Sequence, residues 1–115
     1  MGSHSRNKGK AYEQRIARLY RDKGYKAKRG WQCREGDDDP DVVVDIPLWL
    51  ECKHHAKGGL AFRAYAQAKE AARLGRMPVV HIHEDRGEHL VVLSEDDWMR
   101  VLEAAKGKLF EGGSK

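Results

Sequence analysis

Residues 39–53 read Asp39-Pro40-Asp41-Val42-Val43-Val44-Asp45-Ile46-Pro47-Leu48-Trp49-Leu50-Glu51-Cys52-Lys53, and where this stretch puts its charges decides the fold. Two short apolar runs, Val42 to Ile46 and Leu48 to Leu50, flank Pro47 and predict two strands with a tight connection. Each run carries charge at an end where a purely structural strand favours Thr or Val. Side chains alternate across a strand, so Trp49, Glu51 and Lys53 share one face while Leu50 and Cys52 take the other. Paired as a hairpin, the two runs bring Asp41, at the start of the first, near Glu51, at the end of the second. Two carboxylates beside an ammonium can hold a hard divalent cation through oxygen and leave Lys53 to meet a phosphate or a water. The plain alternative makes Asp41 a turn residue after Pro40 and Glu51 and Lys53 a solvated cross-strand pair.

Upstream of the hairpin, Tyr12, Ile16, Leu19 and Tyr20 recur at the spacing of one helical face. A helix is predicted from Lys8 to Lys23, with Gly24 as its stop. Glu13 borders the buried stripe of this helix and can face the sheet. Tyr25 to Trp31 alternates and predicts a strand with one strongly basic face. Trp31 is expected in the core, with stacking on a base as the other option. Residues 32–39 have no periodicity and form a loop. Residues 1–7 are expected to be a disordered basic arm or a tag remnant, ahead of a single domain over residues 8–106 and a polar tail over 107–115.

Downstream, His54 to Gly59 reads as a second loop and Leu60 to Leu74 as an alanine-rich helix ended by Gly75. Leu60, Ala64, Gln67, Ala68, Ala71 and Leu74 make its predicted sheet-facing stripe, with the Gln67 amide set into an apolar band where it needs partners. Met77 to His83 and His89 to Leu93 predict a second hairpin about Asp85-Arg86-Gly87. Ser94 caps a last helix, with Trp98, Val101, Leu102 and Ala105 on its inner face. The order helix, three strands, helix, two strands, helix predicts an α/β domain with a central mixed sheet of about five strands flanked by helices.

The chain has 115 residues with 40% apolar content, enough for one modest core. No apolar run is long enough to span a bilayer and the basic N-terminus lacks a signal-peptide core, so a soluble cytoplasmic protein is expected. Two cysteines, Cys33 and Cys52, are too few for a disulfide framework. The net charge of +4 hides an asymmetry: residues 1–34 hold eleven Lys or Arg against two acids, and residues 35–115 hold eleven against sixteen. The basic part has the footprint of a polyanion-binding surface, with a solvated basic helix as the other reading.

Pro40-Asp41, nine intervening residues and Glu51-Cys52-Lys53 resemble the PD-(D/E)xK nuclease signature. The opening Arg6-Asn7-Lys8-Gly9-Lys10-Ala11-Tyr12-Glu13-Gln14-Arg15 and the strand Gly24-Tyr25 to Arg29 are similar, more narrowly, to archaeal-type Holliday junction resolvases. The resemblance covers roughly residues 6–93 and implies a restriction-endonuclease-like core. It further implies a homodimeric, magnesium-dependent endodeoxyribonuclease, with manganese able to substitute, that nicks four-way DNA junctions symmetrically. Carried over by position, Glu13, Asp41, Glu51 and Lys53 match the catalytic set, and Gln67 matches an auxiliary polar residue on the following helix. A core amide is the equally good alternative for Gln67. Asp41, Glu51, the Cys52 carbonyl and Glu13 are the implied metal ligands. Arg6, Lys8, Lys10, Lys28, Arg29, Arg34, His54 and Lys57 are the expected DNA contacts.

Chemistry supports the same roles. Phosphodiester hydrolysis needs an activated water, neutralisation of the extra charge on phosphorus and help for the leaving oxygen, all of which Mg²⁺ supplies. Two adjacent carboxylates oppose any lowering of the Lys53 pKa, which favours an electrostatic role for Lys53 over a general base. One departure bears on junction selectivity: many such resolvases carry a serine in the loop before the catalytic aspartate, and residues 31–39 contain none, leaving Gln32 or Arg34 as substitutes. Cys52, His54, His55, His81 and His83 suggest a transition-metal site, but their spacing matches no standard zinc pattern. Another small nuclease of the superfamily and a nucleic-acid-binding module without catalysis are the competing readings. Membrane association and a small-molecule substrate are not expected.

Overall fold

Tyr12, Ile16 and Ala17 fall at helical spacing and are almost completely buried, so this stripe holds helix α1, Gly2–Asp22, against the sheet. The helix reaches back to Gly2, beyond the expected start at Lys8. Leu19, expected in the stripe, is exposed, and Ala17 takes the buried place because its small side chain lets the helix come close to the strands. The computed structural model describes residues 2–31, 39–54 and 59–108, with side chains from residue 8 onward.

Five strands form one sheet: β1 (Ala27–Arg29), β2 (Val42–Val44), β3 (Leu48–His54), β4 (Met77–His83) and β5 (His89–Val92), side by side in that order. β1–β2, β2–β3 and β4–β5 are antiparallel, and β3–β4 is parallel. A parallel pair needs a crossover, and α2 (Leu60–Ala71) provides it. α3 (Glu95–Ala105) follows β5. The domain is α/β with a mixed five-stranded sheet, in the element order read from the chain.

Alternation along the strands divides the core between the two faces. Val42, Val44, Leu50, Cys52 and Val79 pack on α1, while Trp49, Val80 and Ile82 pack on Ala64 and Ala68 of α2. Trp49, Glu51 and Lys53 thus lie on the face opposite Leu50 and Cys52, as expected.

Further readings of single residues need correction. Gln67 is exposed, because the sheet-facing stripe of α2 runs through Ala61, Ala64, Tyr65, Ala68 and Ala71; turning Tyr65 inward avoids desolvating an amide. Leu74 is 91% exposed, since α2 ends at Ala71 and Leu74 and Gly75 form a turn with φ of +57° and +69°. Trp31 is 73% exposed and not in the core; β1 ends at Arg29, two residues before it.

Ser94 Oγ accepts the Asp97 N–H at 3.0 Å, the cap expected for α3. Trp98, expected inward, is exposed together with Met99, and α3 buries no residue completely. Among the described residues, no helix is long and apolar enough to cross a membrane.

Candidate active site at one end of the sheet

Antiparallel pairing of Val42 with Leu50 places the preceding residue, Asp41, opposite Glu51. Asp41 Oδ2 accepts the Cys52 backbone N–H at 2.8 Å, and its carboxyl also hydrogen-bonds that of Glu51. Glu51 is only 9% exposed, and its Oε1 accepts the Trp49 indole N–H at 3.1 Å. These contacts set both carboxyl groups in place without a flexible loop.

Such crowding has an electrostatic consequence. Burial foremost, and then the negative charge of Glu51, push Asp41 up to about 7; the Cys52 N–H and the Lys53 ammonium pull the other way. Burial also raises the Cys52 thiol, which the neighbouring carboxylates raise further, so it stays a neutral core group.

Glu13 enters from α1. Burial raises its pKa, a hydrogen bond from Arg29 opposes the rise, and the charge of Asp41 adds to it, so Glu13 lies within electrostatic reach of Asp41. Its Oε1 is paired with Arg29 Nε at 2.9 Å. Arg29, expected to meet DNA, therefore commits its Nε to an implied metal ligand. Lys8, Lys10 and Lys28 are exposed, as a phosphate contact requires. Arg6, Arg34 and Lys57 lie outside the residues whose side chains are described, as do Gln32 and His55. Gln67, exposed on α2, is not part of the buried polar cluster.

The donor set fits a hard divalent cation in part. Asp41 and Glu51 are adjacent oxygen donors whose repulsion a cation would relieve, and this is the setting that favours Mg²⁺ or Mn²⁺. Among the described residues, however, no three His, Cys, Asp or Glu side chains form a group arranged to hold a metal. Glu13, the third implied carboxylate, has its Oε1 on Arg29. The histidines do not make a zinc site with Cys52 either: His81 is buried, pairs with the Tyr20 hydroxyl at 2.8 Å and is lowered to about 4, chiefly by burial.

Two residues absent from the sequence reading position this site. At Gly30 a Cβ would overlap the Pro40 carbonyl oxygen, so glycine allows residues 39–41 to pass close to the end of β1. Its N–H donates to the Asp41 carbonyl at 2.9 Å, and on its far side Trp31 and Asp39 exchange two hydrogen bonds. The Gly-Trp dipeptide after a basic strand was the available signal. Gly30→Ala is expected to displace Asp41, lowering stability by about 1–3 kcal/mol and weakening divalent-ion binding. Calorimetric metal titration with urea unfolding checks it; unchanged values in both would remove Gly30 from the site.

At the other end of the β2–β3 hairpin, Arg76 Nη1 donates to the carbonyl oxygens of Val44, Ile46 and Leu48 at 3.3, 2.9 and 3.2 Å. No local pattern marks an arginine in a turn as the clamp on a hairpin 28 to 32 positions earlier.

No family model, curated protein or solved structure matches the chain. The functional reading therefore rests on the residues themselves.

Proposed function

We propose that the chain is a magnesium-dependent endodeoxyribonuclease acting on branched DNA, as a homodimeric Holliday junction resolvase of the cytoplasm. The observation that carries this is the partly buried Asp41–Glu51 pair beside Lys53, with Asp41 pushed up to about 7. Two carboxylates whose charges repel in a partly dry site are suited to a cation. When bound, the cation supplies charge neutralisation at the scissile phosphate and an acidified water. Asp41 and Glu51 would hold it, with the Cys52 carbonyl and Glu13 as further ligands. Lys53, on the same face as Glu51, offsets charge gathering on the phosphate. The exposed Lys8, Lys10 and Lys28 meet neighbouring phosphates. A two-fold axis would present two such sites to the two equivalent strands of a four-way junction, and the exposed Trp98 and Met99 of α3 are apolar surface of the kind a second copy covers.

One observation favours a second reading, a binding module without catalysis. Glu13 is engaged by Arg29, which leaves two adjacent carboxylates where the resemblance implies three. Incubation of the purified protein with a labelled four-way junction and a linear duplex of equal length separates the readings. Paired nicks in the junction are expected with Mg²⁺ or Mn²⁺ and none in EDTA, from a protein that sediments as a dimer. Equal cutting of both DNAs would reject the resolvase reading. No cutting with either metal would leave the binding module.

A further inference from the structure

The register of the sheet sets three histidines in one row across three adjacent strands. His54 of β3 pairs with His83 of β4, and His83 pairs with His89 of β5. Cross-strand partners stand side by side on one face, and the imidazoles stack. Ring centroids lie 5.1 Å apart for His54 and His83 and 3.9 Å for His83 and His89, with planes 20° and 8° from parallel. Tyr12 of α1 stacks on His54 at 4.9 Å. Lys8 and Arg15 lie four residues before and three after Tyr12, so the helix brings them to the same side. Together these six residues line an open hollow of about 460 Å³, and among the described residues no carboxylate lines it.

We propose that Lys8, Arg15, His54, His83 and His89 form a second phosphate-binding site, which holds a further backbone phosphate of the same nucleic acid. This rests on the nuclease reading for its ligand but on separate residues for its chemistry. Two permanent cations and three imidazoles crowd one hollow with no acid among them, an arrangement that an anion relieves. Desolvation first, then the charge of Arg15 and the neighbouring His83, hold His89 below the ordinary imidazole value, which reports the same crowding of positive groups. His54 Nδ1 and His83 Nδ1 hydrogen-bond each other at 3.2 Å. A transition metal fits worse, because near-parallel rings do not converge their lone pairs on one point and Lys8 and Arg15 repel a cation. The described residues contain no His, Cys, Asp and Glu group arranged for one.

Position assigns the phosphate to nucleic acid. His54 follows Lys53 directly and Tyr12 precedes Glu13, so the hollow lies at the same end of the sheet as the carboxylate pair, on the α1 face, the face opposite Glu51 and Lys53. His83 and His89 lie one and two strands further, about 5 and 10 Å across the sheet. A strand that rounds this end of the sheet from the cleavage site to the α1 face passes its phosphates along the row.

The test uses the full chain in the absence of divalent metal, with a labelled four-way junction, an unlabelled duplex and inorganic phosphate as probes. Arg15 and His89 are both exposed, so Arg15→Ala/His89→Ala is expected to fold. The double variant should bind the junction about tenfold more weakly and show a salt slope shallower by about one. Arg15→Lys should keep most of the affinity. Duplex should move the His83 and His89 imidazole resonances, and inorganic phosphate should move them only at much higher concentration. Equal junction affinity for wild type and double variant, with imidazoles unmoved by duplex, overturns the site while leaving the nuclease reading intact. Resonances moved by inorganic phosphate but not by duplex overturn the nucleic-acid assignment. Resonances moved by duplex in a protein that cuts nothing with Mg²⁺ uphold the site and reject the nuclease reading.

Discussion

Asp41→Asn is expected to abolish metal-dependent cleavage, lowering the rate by about a thousandfold or more, and at the same time to stabilise the metal-free protein at alkaline pH. The opposite signs come from one cause. Asp41 sits against Glu51 in a partly buried site and is pushed up to about 7 from an ordinary value of 3.8. Between those two values the folded chain holds a proton that the unfolded chain has released. Folding stability therefore falls as pH rises through this window, and the full cost is present above about 7. Asparagine has the same shape, carries no charge and can still accept the Cys52 N–H. The variant should equal wild type near pH 4 and exceed it at pH 8 by roughly 1–3 kcal/mol, after allowing for solvent screening of a partly exposed carboxyl. That corresponds to a rise in Tm of about 4–12 °C. Adding Mg²⁺ should stabilise wild type and leave the variant unmoved, which closes the gap. Melting curves from pH 4 to 8, with and without Mg²⁺, check all of this; parallel pH profiles for the two proteins would show that the carboxylates do not repel.

Arg76→Ala is expected to be the most damaging change away from the carboxylates, lowering stability by about 2–4 kcal/mol. One guanidinium nitrogen serves three carbonyl oxygens at the turn between β2 and β3, of which Ile46 O also accepts the Leu48 N–H at 2.7 Å. The neighbouring Met77 N–H reaches the Pro47 carbonyl at 2.8 Å, so residues 76 and 77 together tie the hairpin turn to the start of β4. Loosening the turn frees the register that sets Asp41 opposite Glu51, and cleavage should fall along with stability. Arg76→Lys should recover part of the loss, since an ammonium donates but lacks the planar fork. Urea unfolding at constant m is the measurement, and a loss under about 0.5 kcal/mol would show that water replaces the clamp.

The carboxylate pair was legible in advance because it depends on local rules. Period-two alternation through Trp49, Leu50, Glu51, Cys52 and Lys53 assigned faces, and a short connection at Pro47 left little choice of register for Asp41. The helices were legible for the same reason, down to the Ser94 cap. Their inner edges were less so. Gln67 and Leu74 fit an apolar stripe about as well as Tyr65 and Ala61 do, and the choice falls to whichever side chains the sheet has room for. Trp31 was misplaced because its aromatic character predicts burial, whereas it stands beyond the end of β1 at Arg29 and is exposed.

What the amino-acid order determined by itself is the list of elements, the faces of the strands and the adjacency of Asp41, Glu51 and Lys53, since each follows from spacing along a few residues. What only the tertiary structure decided is who partners whom over long separations. Arg29 pairs with Glu13, Arg76 grips the β2–β3 turn, and His54, His83 and His89 stack under Tyr12. A charged or aromatic side chain has many admissible partners, and its energy depends on distance and desolvation once the sheet has assembled, neither of which is written in the spacing of the chain.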